Sequence, residues 1–287
     1  MPDLSTPLNA WFRANARPLP WRAEGFGAWG VLVSEFMLQQ TQVERVIPRL
    51  EAWLERWPSP AALAADPPGE AVRAWDRLGY PRRALWLHRA AEQIATEHGN
   101  TVPDSVPELL ALTGIGDYTA RAVSVFAYGN RHPVVDTNTR RVIARAVHGL
   151  AAAGVPKPAD LDDMAALLPA DDAEAAVFNA AAMELGQTVC TARNPGCEVC
   201  PIAAWCQWRG AGFPDNAPKA PPKQARFAGS DREARGLIMA LARHSAGPNT
   251  EAALLAQVPE PERAERALRT LLADGLLVPL DSGYALP

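Results

Sequence analysis

The fold is decided by one stretch of the sequence, Leu112-Thr-Gly-Ile-Gly-Asp-Tyr-Thr119, which lies between two segments with helical apolar spacing. Glycine adopts positive φ without a Cβ clash, so Gly114 and Gly116 predict a tight turn between two helices. We expect Asp117 or Thr119 to cap the second helix, and the backbone N–H groups at its start to face outward and suit a phosphate. An ordinary turn that only connects two helices is the alternative interpretation.

A carboxylate follows the second predicted helix. Asp136 comes directly after the short run His132-Pro-Val-Val135 and 20 residues after Gly116. The apolar residues of that run would hold the carboxylate near the phosphate site. In the alternative interpretation, Asp136 and Asn138 only cap a helix that begins near Thr139.

A second carboxylate lies within an apolar helix. Six of the eight residues in Val31-Leu-Val-Ser-Glu-Phe-Met-Leu38 are apolar, and Glu35 stands among them. Burial disfavours the charged form of a carboxyl group, so we expect the pKa of Glu35 to be raised, as a general acid requires. The segment Gln39-Gln-Thr-Gln42, with Gln40 and Thr41 at its centre, suits base edges or a disrupted base stack, and is also typical of a polar helix end.

Two loop segments interrupt the helical pattern. Arg17-Pro-Leu-Pro-Trp-Arg22 is predicted to be extended because proline twice restricts its backbone, and Trp21 would pack on the core. Leu78-Gly-Tyr-Pro-Arg-Arg83 separates two helical stretches. Tyr80 is a candidate wedge or stacking residue there, and the paired arginines are candidate phosphate ligands. A turn followed by a solvated helix start is the alternative.

All four cysteines lie in one window with the spacing Cys190-x6-Cys197-x2-Cys200-x5-Cys206. Four thiolates can hold either a tetrahedral zinc ion or a 4Fe–4S cluster. Structural zinc sites usually combine two Cys-x2-Cys pairs, and one such pair is present here. The spacing therefore favours the cluster and keeps zinc as the alternative.

A proline-rich segment ends the helical region. Residues 213–230 are predicted to form a linker, after which residues 231–287 show helical patterns followed by a hairpin around Asp281-Ser-Gly283. Helices that end in a small hairpin predict a winged-helix-like module. The module contains six arginines and eight acids, so DNA binding by it is unsupported, and packing or protein contact is the expected role.

Composition and charge limit the possible functions. The 287 residues carry a formal net charge of −4, so no overall basic field draws the chain to nucleic acid, and any DNA affinity must be local. The first residues show no signal-peptide pattern, and no apolar run reaches the roughly 20 residues of a membrane helix. We expect a cytoplasmic protein, whose compartment keeps thiols reduced and disfavours disulfides.

Together these motifs resemble the adenine DNA glycosylase (MutY) family, within the superfamily of helix-hairpin-helix DNA glycosylases with an iron–sulfur loop. The resemblance covers residues 8 to about 210. It is carried by Leu19-Pro-Trp-Arg22, Ser34-Glu-Phe-Met-Leu-Gln-Gln-Thr-Gln-Val43, Leu78-Gly-Tyr80, Leu112-Thr-Gly-Ile-Gly-Asp-Tyr-Thr119, Val135-Asp-Thr-Asn138, Met183-Glu-Leu-Gly186 and the cysteine spacing.

The resemblance implies an all-α, two-lobed helix-hairpin-helix fold with an iron–sulfur loop, followed here by the winged-helix-like module. The expected lobes are residues 1–24 with 134–212, which carry the cluster loop, and residues 25–133, which carry the hairpin. The family's Nudix-like C-terminal domain, which helps to recognise 8-oxoguanine, is not recognisable.

The implied activity is base excision repair. A hydrolase of this family flips an adenine that is mispaired with 8-oxoguanine or guanine out of the duplex and cleaves its N-glycosidic bond. Glu35 matches the acid that protonates the purine ring, and Asp136 matches the carboxylate that stabilises or transiently traps the oxocarbenium-like sugar. Tyr118 and Asn138 match supporting groups. The endonuclease III branch has a Schiff-base lysine at the place of Tyr118, and no lysine occurs between Met1 and Ala151, so lyase chemistry is not expected.

Further residues match binding positions of the family. Those that match the adenine pocket are Arg17, Trp21, Arg22 and Glu184. Those that match DNA contacts are Gln40, Thr41, Tyr80, Gly114 and Gly116. Gln40 and Tyr80 match residues that enter the base stack beside the oxidised guanine, and the two glycines match the phosphate-binding hairpin. The cluster ligands would be Cys190, Cys197, Cys200 and Cys206.

The implied partner is duplex DNA with a mismatched adenine, bound by a nucleoid-associated monomer. Pro81 and Thr137 stand where many relatives have an aromatic residue and a glycine.

A thymine or uracil mismatch glycosylase of the same superfamily is the alternative function, and Glu35 with Gln39-Gln-Thr41 argues against it. A non-catalytic DNA-binding protein is a more remote alternative, because both carboxylates are present.

Overall fold

The computed structural model describes residues 3–219 and 226–287, and most of them are helical, as predicted. The expected linker at 213–230 therefore lies partly outside the described residues. The helices are α1 Ser5–Asn15, α2 Ala28–Leu38, α3 Val43–Arg56, α4 Pro60–Ala64, α5 Pro68–Trp75, α6 Arg82–Glu97, α7 Val106–Ala111, α8 Asp117–Tyr128, α9 Thr137–Ala146, α10 Ala159–Leu167, α11 Asp172–Thr188, α12 Gln207–Gly210, α13 Asp231–His244, α14 Glu251–Leu255 and α15 Pro261–Ala273. The strands are β1 Val278–Leu280 and β2 Gly283–Ala285. None of the described helices is both long and apolar enough to cross a membrane.

Contacts within the chain define two compact units. The first comprises Met1–Val31, Asp104–Leu110 and Ile115–Pro222, and the second comprises Leu32–Pro103, Ala111–Gly114 and Lys223–Pro287. These units differ from the expected lobes, because α8 lies in the first unit and the tail lies in the second.

The core of the first unit is built from α1, α9 and α11. Phe178, Ala181, Ala182 and Leu185 recur at helical spacing, so they form one apolar face of α11. Leu8 of α1 is buried in the same core. This packing sets α9 and α11 side by side, and both helices carry candidate site residues.

The position of α8 follows from a second apolar cluster in the first unit. Ala122 and Val125 of α8 are buried together with Val134, and Met183 of α11 packs against them. The sequence pattern showed that α8 has an apolar face but not which helix would cover it.

Three buried tryptophans pack together in the second unit. Trp53 packs edge to face against Trp57 and Trp75, with ring centroids 4.6 and 5.8 Å apart. All three are at most 2% exposed. Edge-to-face contacts of this kind add to the stabilisation from burial.

The tail forms the predicted helices and hairpin. Val278 pairs with Ala285, and Leu280 pairs with Gly283, in an antiparallel register. An isolated bridge between Asn249 and Tyr284 adds a third short extended segment.

The tail packs on α5 within the second unit. Arg73 of α5 donates hydrogen bonds to the carbonyl oxygens of Arg243 and Ser245. The backbone N–H of Gly69 donates to the carbonyl oxygen of Pro287 at 2.6 Å. These contacts explain why residues 231–287 share a compact unit with α3 to α6.

Candidate active site and cysteine loop

The predicted glycine turn joins α7 to α8. Gly114 has a φ of 80°, and a Cβ at this position would lie 2.5 Å from Cβ of Trp86. Both the backbone conformation and the packing therefore require glycine there. Gly116 has an extended backbone with a φ of −100°, and a Cβ built on it would meet open space.

The start of α8 differs from the prediction. Gly116 is the N-cap residue, so no side chain caps the helix from that position. Asp117 is the first helical residue, and its carboxylate accepts a hydrogen bond of 2.9 Å from Nε of Arg121. Thr119 is buried. A carboxylate in the first turn still interacts favourably with the helix dipole.

Asp136 is the N-cap residue of α9. Its Oδ1 accepts a hydrogen bond of 2.6 Å from the backbone N–H of Thr139, and its Oδ2 accepts one of 2.8 Å from Nδ2 of Asn138. Asp136 therefore caps α9, which begins at Thr137, and its catalytic role stays a prediction. Capping also fixes the direction of both oxygens, which suits a carboxylate that must face a developing positive charge.

Asn138 is itself held in place by Arg141, which was not among the predicted site residues. Nη2 of Arg141 donates to Oδ1 of Asn138 at 2.8 Å and to the carbonyl oxygen of Gly186 at 2.6 Å, while Nε donates to the carbonyl oxygen of Cys190 at 2.7 Å. The spacing of three residues between Asn138 and Arg141 on one helix was the signal that could have indicated this pair.

Glu35 is 7% exposed on α2, in the second unit. The neighbouring residues Ser34, Phe36 and Met37 are at most 1% exposed. The predicted burial of this carboxyl group is therefore present, and its role as an acid stays a prediction.

The structure brings together three of the four residues that match the adenine pocket. Nε and Nη2 of Arg17 donate to the two carboxylate oxygens of Glu184 at 2.7 and 2.8 Å, and Nη2 of Arg22 donates to Oε2 at 2.9 Å. Burial alone would raise the pKa of Glu184, but the hydrogen bonds and charges of both arginines outweigh it and lower the pKa to about 2. Glu184 is therefore ionised at neutral pH.

Trp21 lies half-buried in a turn and not in an extended segment. Pro20–Arg22 forms one turn of 3-10 helix. The prediction of an extended backbone was wrong here because the fixed φ of proline also suits the first position of a helical turn.

The candidate stacking residues lie on two exposed turns of the second unit. Gln40 is exposed, and Tyr80 is 44% exposed. The two arginines that follow Tyr80 differ sharply. The side chain of Arg82 is 51% exposed and pairs with Asp274 at 3.1 Å, whereas Arg83 is only 4% exposed. Arg83 is thus neither a solvated residue nor a surface phosphate ligand, contrary to both interpretations of the sequence.

The four cysteines line one cavity in the first unit. Arg145 of α9 is 4% exposed and closes one side of the loop, where Nη1 donates to the carbonyl oxygen of Thr191 at 2.8 Å and lies 3.4 Å from Sγ of Cys190. Burial raises the pKa of the Cys200 thiol to about 11. Cys200 can therefore bind a metal centre as a thiolate because the metal supplies positive charge.

Four thiols that line one cavity are the set of donors that a 4Fe–4S cluster needs. Within the described part of the chain, no three side chains of His, Cys, Asp or Glu converge as ligands of a single metal ion would. A zinc site needs four ligand atoms about 2.3 Å from one point. In a 4Fe–4S cluster each thiolate binds a different iron, so the sulfurs surround a larger volume.

Comparison with known protein families supports the same cofactor. Residues 33–152 match the family model described as "HhH-GPD superfamily base excision DNA repair protein". Residues 190–206 match the model of the "iron-sulfur binding domain of endonuclease III", so the cofactor of the four cysteines is the 4Fe–4S cluster. The class of the protein is therefore that of the helix-hairpin-helix proteins of base excision DNA repair.

Curated relatives narrow the class to one family. The adenine DNA glycosylase of Mycolicibacterium smegmatis is 52% identical over 271 residues, which cover 94% of this chain and 91% of the relative. That of Mycobacterium tuberculosis is 48% identical over 286 residues, which cover 98% of this chain and 93% of the relative, so the similarity includes the tail. This chain belongs to the adenine DNA glycosylase family.

More distant relatives share the fold. A thymine-DNA glycosylase of Aeropyrum pernix is 32% identical over 203 residues, which cover 69% of this chain and 91% of the relative. The solved structure of a thermostable thymine-DNA glycosylase aligns with a TM-score of 0.65 at 24% identity, over 72% of this chain and 95% of that chain.

Proposed function

We propose that this protein excises adenine from duplex DNA where adenine is mispaired with 8-oxoguanine or guanine, by hydrolysis and without strand cleavage. The observation that carries the proposal is the contrast between two carboxyl groups. Glu35 is buried in an apolar helix, whereas Asp136 presents two oriented oxygens at a helix N-terminus. Burial suits an acid that must be protonated near neutral pH, and a helix N-terminus suits an anion.

In the proposed reaction, Glu35 transfers its proton to a ring nitrogen of the flipped adenine. The bond between C1′ of the sugar and N9 of the base then breaks, and its electron pair leaves with the base. The positive charge that develops on the sugar is stabilised by Asp136. Water adds to C1′ and loses a proton, which yields an abasic site and free adenine.

The supporting residues have separate roles in this proposal. Asn138 orients Asp136 through its 2.8 Å hydrogen bond. Glu184, held by Arg17 and Arg22, supplies polar groups to the adenine pocket together with Trp21. The exposed N–H groups at the start of α8 bind a phosphate of the backbone.

The absence of lyase activity follows from the residue at position 118. A lysine at this place could attack the sugar carbon and form a Schiff base, and the chain has Tyr118 instead. The proposed product is therefore an intact strand with an abasic site.

The experiment is a glycosylase assay on four duplexes that contain adenine opposite 8-oxoguanine, adenine opposite guanine, thymine opposite guanine and uracil opposite guanine. Each is analysed with and without alkali. Release of adenine with breaks only after alkali supports the proposal. Release of thymine supports the alternative that the Aeropyrum relative suggests, and release of uracil supports a uracil mismatch glycosylase. Binding of all duplexes without release of any base overturns the assignment as an enzyme.

A further inference from the structure

Two exposed residues of the second unit adopt a backbone conformation that is rare for residues other than glycine. Gln40 has a φ of 54°, and Tyr80 has a φ of 48°. This left-handed region is unfavourable for side chains with a Cβ, and such residues persist where the surrounding structure fixes them. The two turns must therefore be held from the interior.

One buried guanidinium group binds both turns. Nη1 of Arg83 donates to the carbonyl oxygens of Phe36 and Gln39 at 2.7 and 2.6 Å, just before Gln40. Nη2 of Arg83 donates to the carbonyl oxygen of Gly79 at 3.1 Å, just before Tyr80. A planar guanidinium can bind several acceptors in different directions at once, and an ammonium group has no such fixed fork.

Thr41 and the aromatic rings complete this link. Oγ1 of Thr41 lies 3.4 Å from Nη2 of Arg83, and it lies 3.2 Å from the carbonyl oxygen of Gln39 and 3.3 Å from that of Leu78. Its hydroxyl thus contacts both turns. The guanidinium carbon of Arg83 lies 5.6 Å from the ring centroid of Tyr80 and 5.2 Å from that of Trp75. The position of the Tyr80 ring is thus tied to the same cation.

The charge of Arg83 has no acidic partner in the described residues. Its hydrogen bonds go to backbone carbonyls and one hydroxyl, and burial lowers its pKa to about 10, so it stays charged at neutral pH. Burying a cation is costly unless polar groups surround it. Since no carboxylate pairs with Arg83 in the described residues, we infer that its role is to hold the carbonyl groups that it binds.

We propose that Arg83 is a positioning residue that holds Gln40 and Tyr80 in advance for joint insertion into a base stack. The inference rests on the proposed function, because it assumes that the two side chains enter a duplex at a mismatch. Arg83 would act through these residues without touching DNA. Loss of its fork would leave both turns to be ordered during binding, which lowers the rate of base release.

The test uses Arg83→Lys, which keeps the charge but removes the fork. A duplex with adenine opposite 8-oxoguanine carries 2-aminopurine next to the 8-oxoguanine, because this base becomes fluorescent when it is unstacked. We expect Arg83→Lys to lower single-turnover adenine release about tenfold and to remove most of the fluorescence increase. We expect the double variant Arg83→Lys/Tyr80→Ala to be no slower than the slower single variant, because both changes remove the same insertion of Tyr80 into the base stack.

Arg89→Lys is the matched control, since Arg89 lies on the same helix and its side chain is 65% exposed. It should behave as the wild type. Thr41→Val is a second, milder variant that removes the hydroxyl between the turns but keeps the shape. It should lower the rate and the fluorescence in the same direction and also show no additivity with Tyr80→Ala.

Additive losses in both double variants, or a full fluorescence increase in Arg83→Lys, would overturn the inference. Thermal unfolding and the visible absorption of the cluster are measured for every variant. If Arg83→Lys does not fold, the comparison of Thr41→Val, Tyr80→Ala and their double variant tests the inference instead. A wild-type protein that releases no adenine would instead overturn the proposed function, and the fluorescence comparison would still test the positioning role.

Discussion

Asn138 donates a hydrogen bond of 2.8 Å to Oδ2 of Asp136, and Arg141 fixes the orientation of the amide that makes it. Because the guanidinium of Arg141 can only donate, Oδ1 of Asn138 must face it, and the amide nitrogen must face Asp136. The direction of the candidate catalytic carboxylate therefore depends on a residue that does not touch it.

Replacing this amide should slow base release without preventing folding. In Asn138→Ala, Asp136 keeps the hydrogen bond from Thr139 and loses the second one, so single-turnover adenine release should fall about tenfold or more. Thr137→Ala changes the exposed neighbouring residue and should have little effect. Equal rates for Asn138→Ala and the wild type would show that Oδ2 needs no orientation.

The two carboxyl groups should be separately essential. Glu35→Gln keeps the shape of the side chain but cannot protonate the base, and Asp136→Asn removes the negative charge that is proposed to stabilise the sugar cation. Each should lower single-turnover adenine release by roughly 100-fold to 10,000-fold. Duplex affinity, measured by fluorescence anisotropy, should change little. Substantial release by either variant would refute the role given to that residue.

Glu184 should make stability depend on acidic pH. Its pKa is about 2 in the folded protein, against an ordinary value of 4.5, so its stabilising contribution is present above about pH 4.5 and is lost as the pH falls toward 2. The shift corresponds to a contribution of at most about 3 kcal/mol. Urea unfolding of the wild type and Glu184→Gln should show a difference at pH 6 that shrinks between about pH 4.5 and 3.

Glu97→Gln is the control for that measurement, since Glu97 is exposed on α6. Its difference from the wild type measures the effect of removing one exposed carboxylate over the same range and is subtracted from that of Glu184→Gln. If the remaining difference for Glu184→Gln is constant, the ion pairs of the Glu184 carboxylate with Arg17 and Arg22 do not stabilise the folded protein.

The cysteine loop should contain iron in a fixed ratio. Protein purified without oxygen should contain about four irons per chain and show the broad visible absorption of an iron–sulfur cluster. Cys200→Ser removes a half-buried ligand and should lower both the iron content and the thermal stability of the first unit. One zinc per chain with no visible absorption would favour the zinc alternative.

The docking of the tail can be tested with two glycines. A Cβ on Gly69 would lie 2.3 Å from the carbonyl oxygen of Pro287, so Gly69→Ala should destabilise the protein by about 1 to 3 kcal/mol. Gly236 lies in α13, and a Cβ there would meet open space, so Gly236→Ala should instead stabilise it by about 0.5 to 1 kcal/mol. Denaturant unfolding distinguishes the two signs. Equal effects would show that the tail does not pack on α5.

Features that depend on local sequence were predicted well. The hairpin around Gly114 follows from the conformational freedom of glycine, the burial of Glu35 follows from its apolar neighbours, and the hairpin at the end of the tail follows from its turn residues. The cysteine spacing predicted the metal centre, because four ligands within a short loop need few other contacts.

Features that depend on buried or half-buried arginines were missed. Arg83, Arg141 and Arg145 bind backbone carbonyls from other elements, and a sequence shows neither the direction of a carbonyl nor the burial of a long polar side chain. The pattern around Arg83 favoured a solvated helix start. Only the fold shows that its acceptors lie on two turns.

The close approach of α9 and α11 has a consequence for genetic variation. A Cβ on Gly186 would lie 2.8 Å from Cβ of Asn138 and also from its carbonyl oxygen. Even an alanine at position 186 would push on the amide that orients Asp136. A screen for cells with a raised mutation rate should therefore recover changes at Gly186, although this residue has no side chain with which to take part in repair.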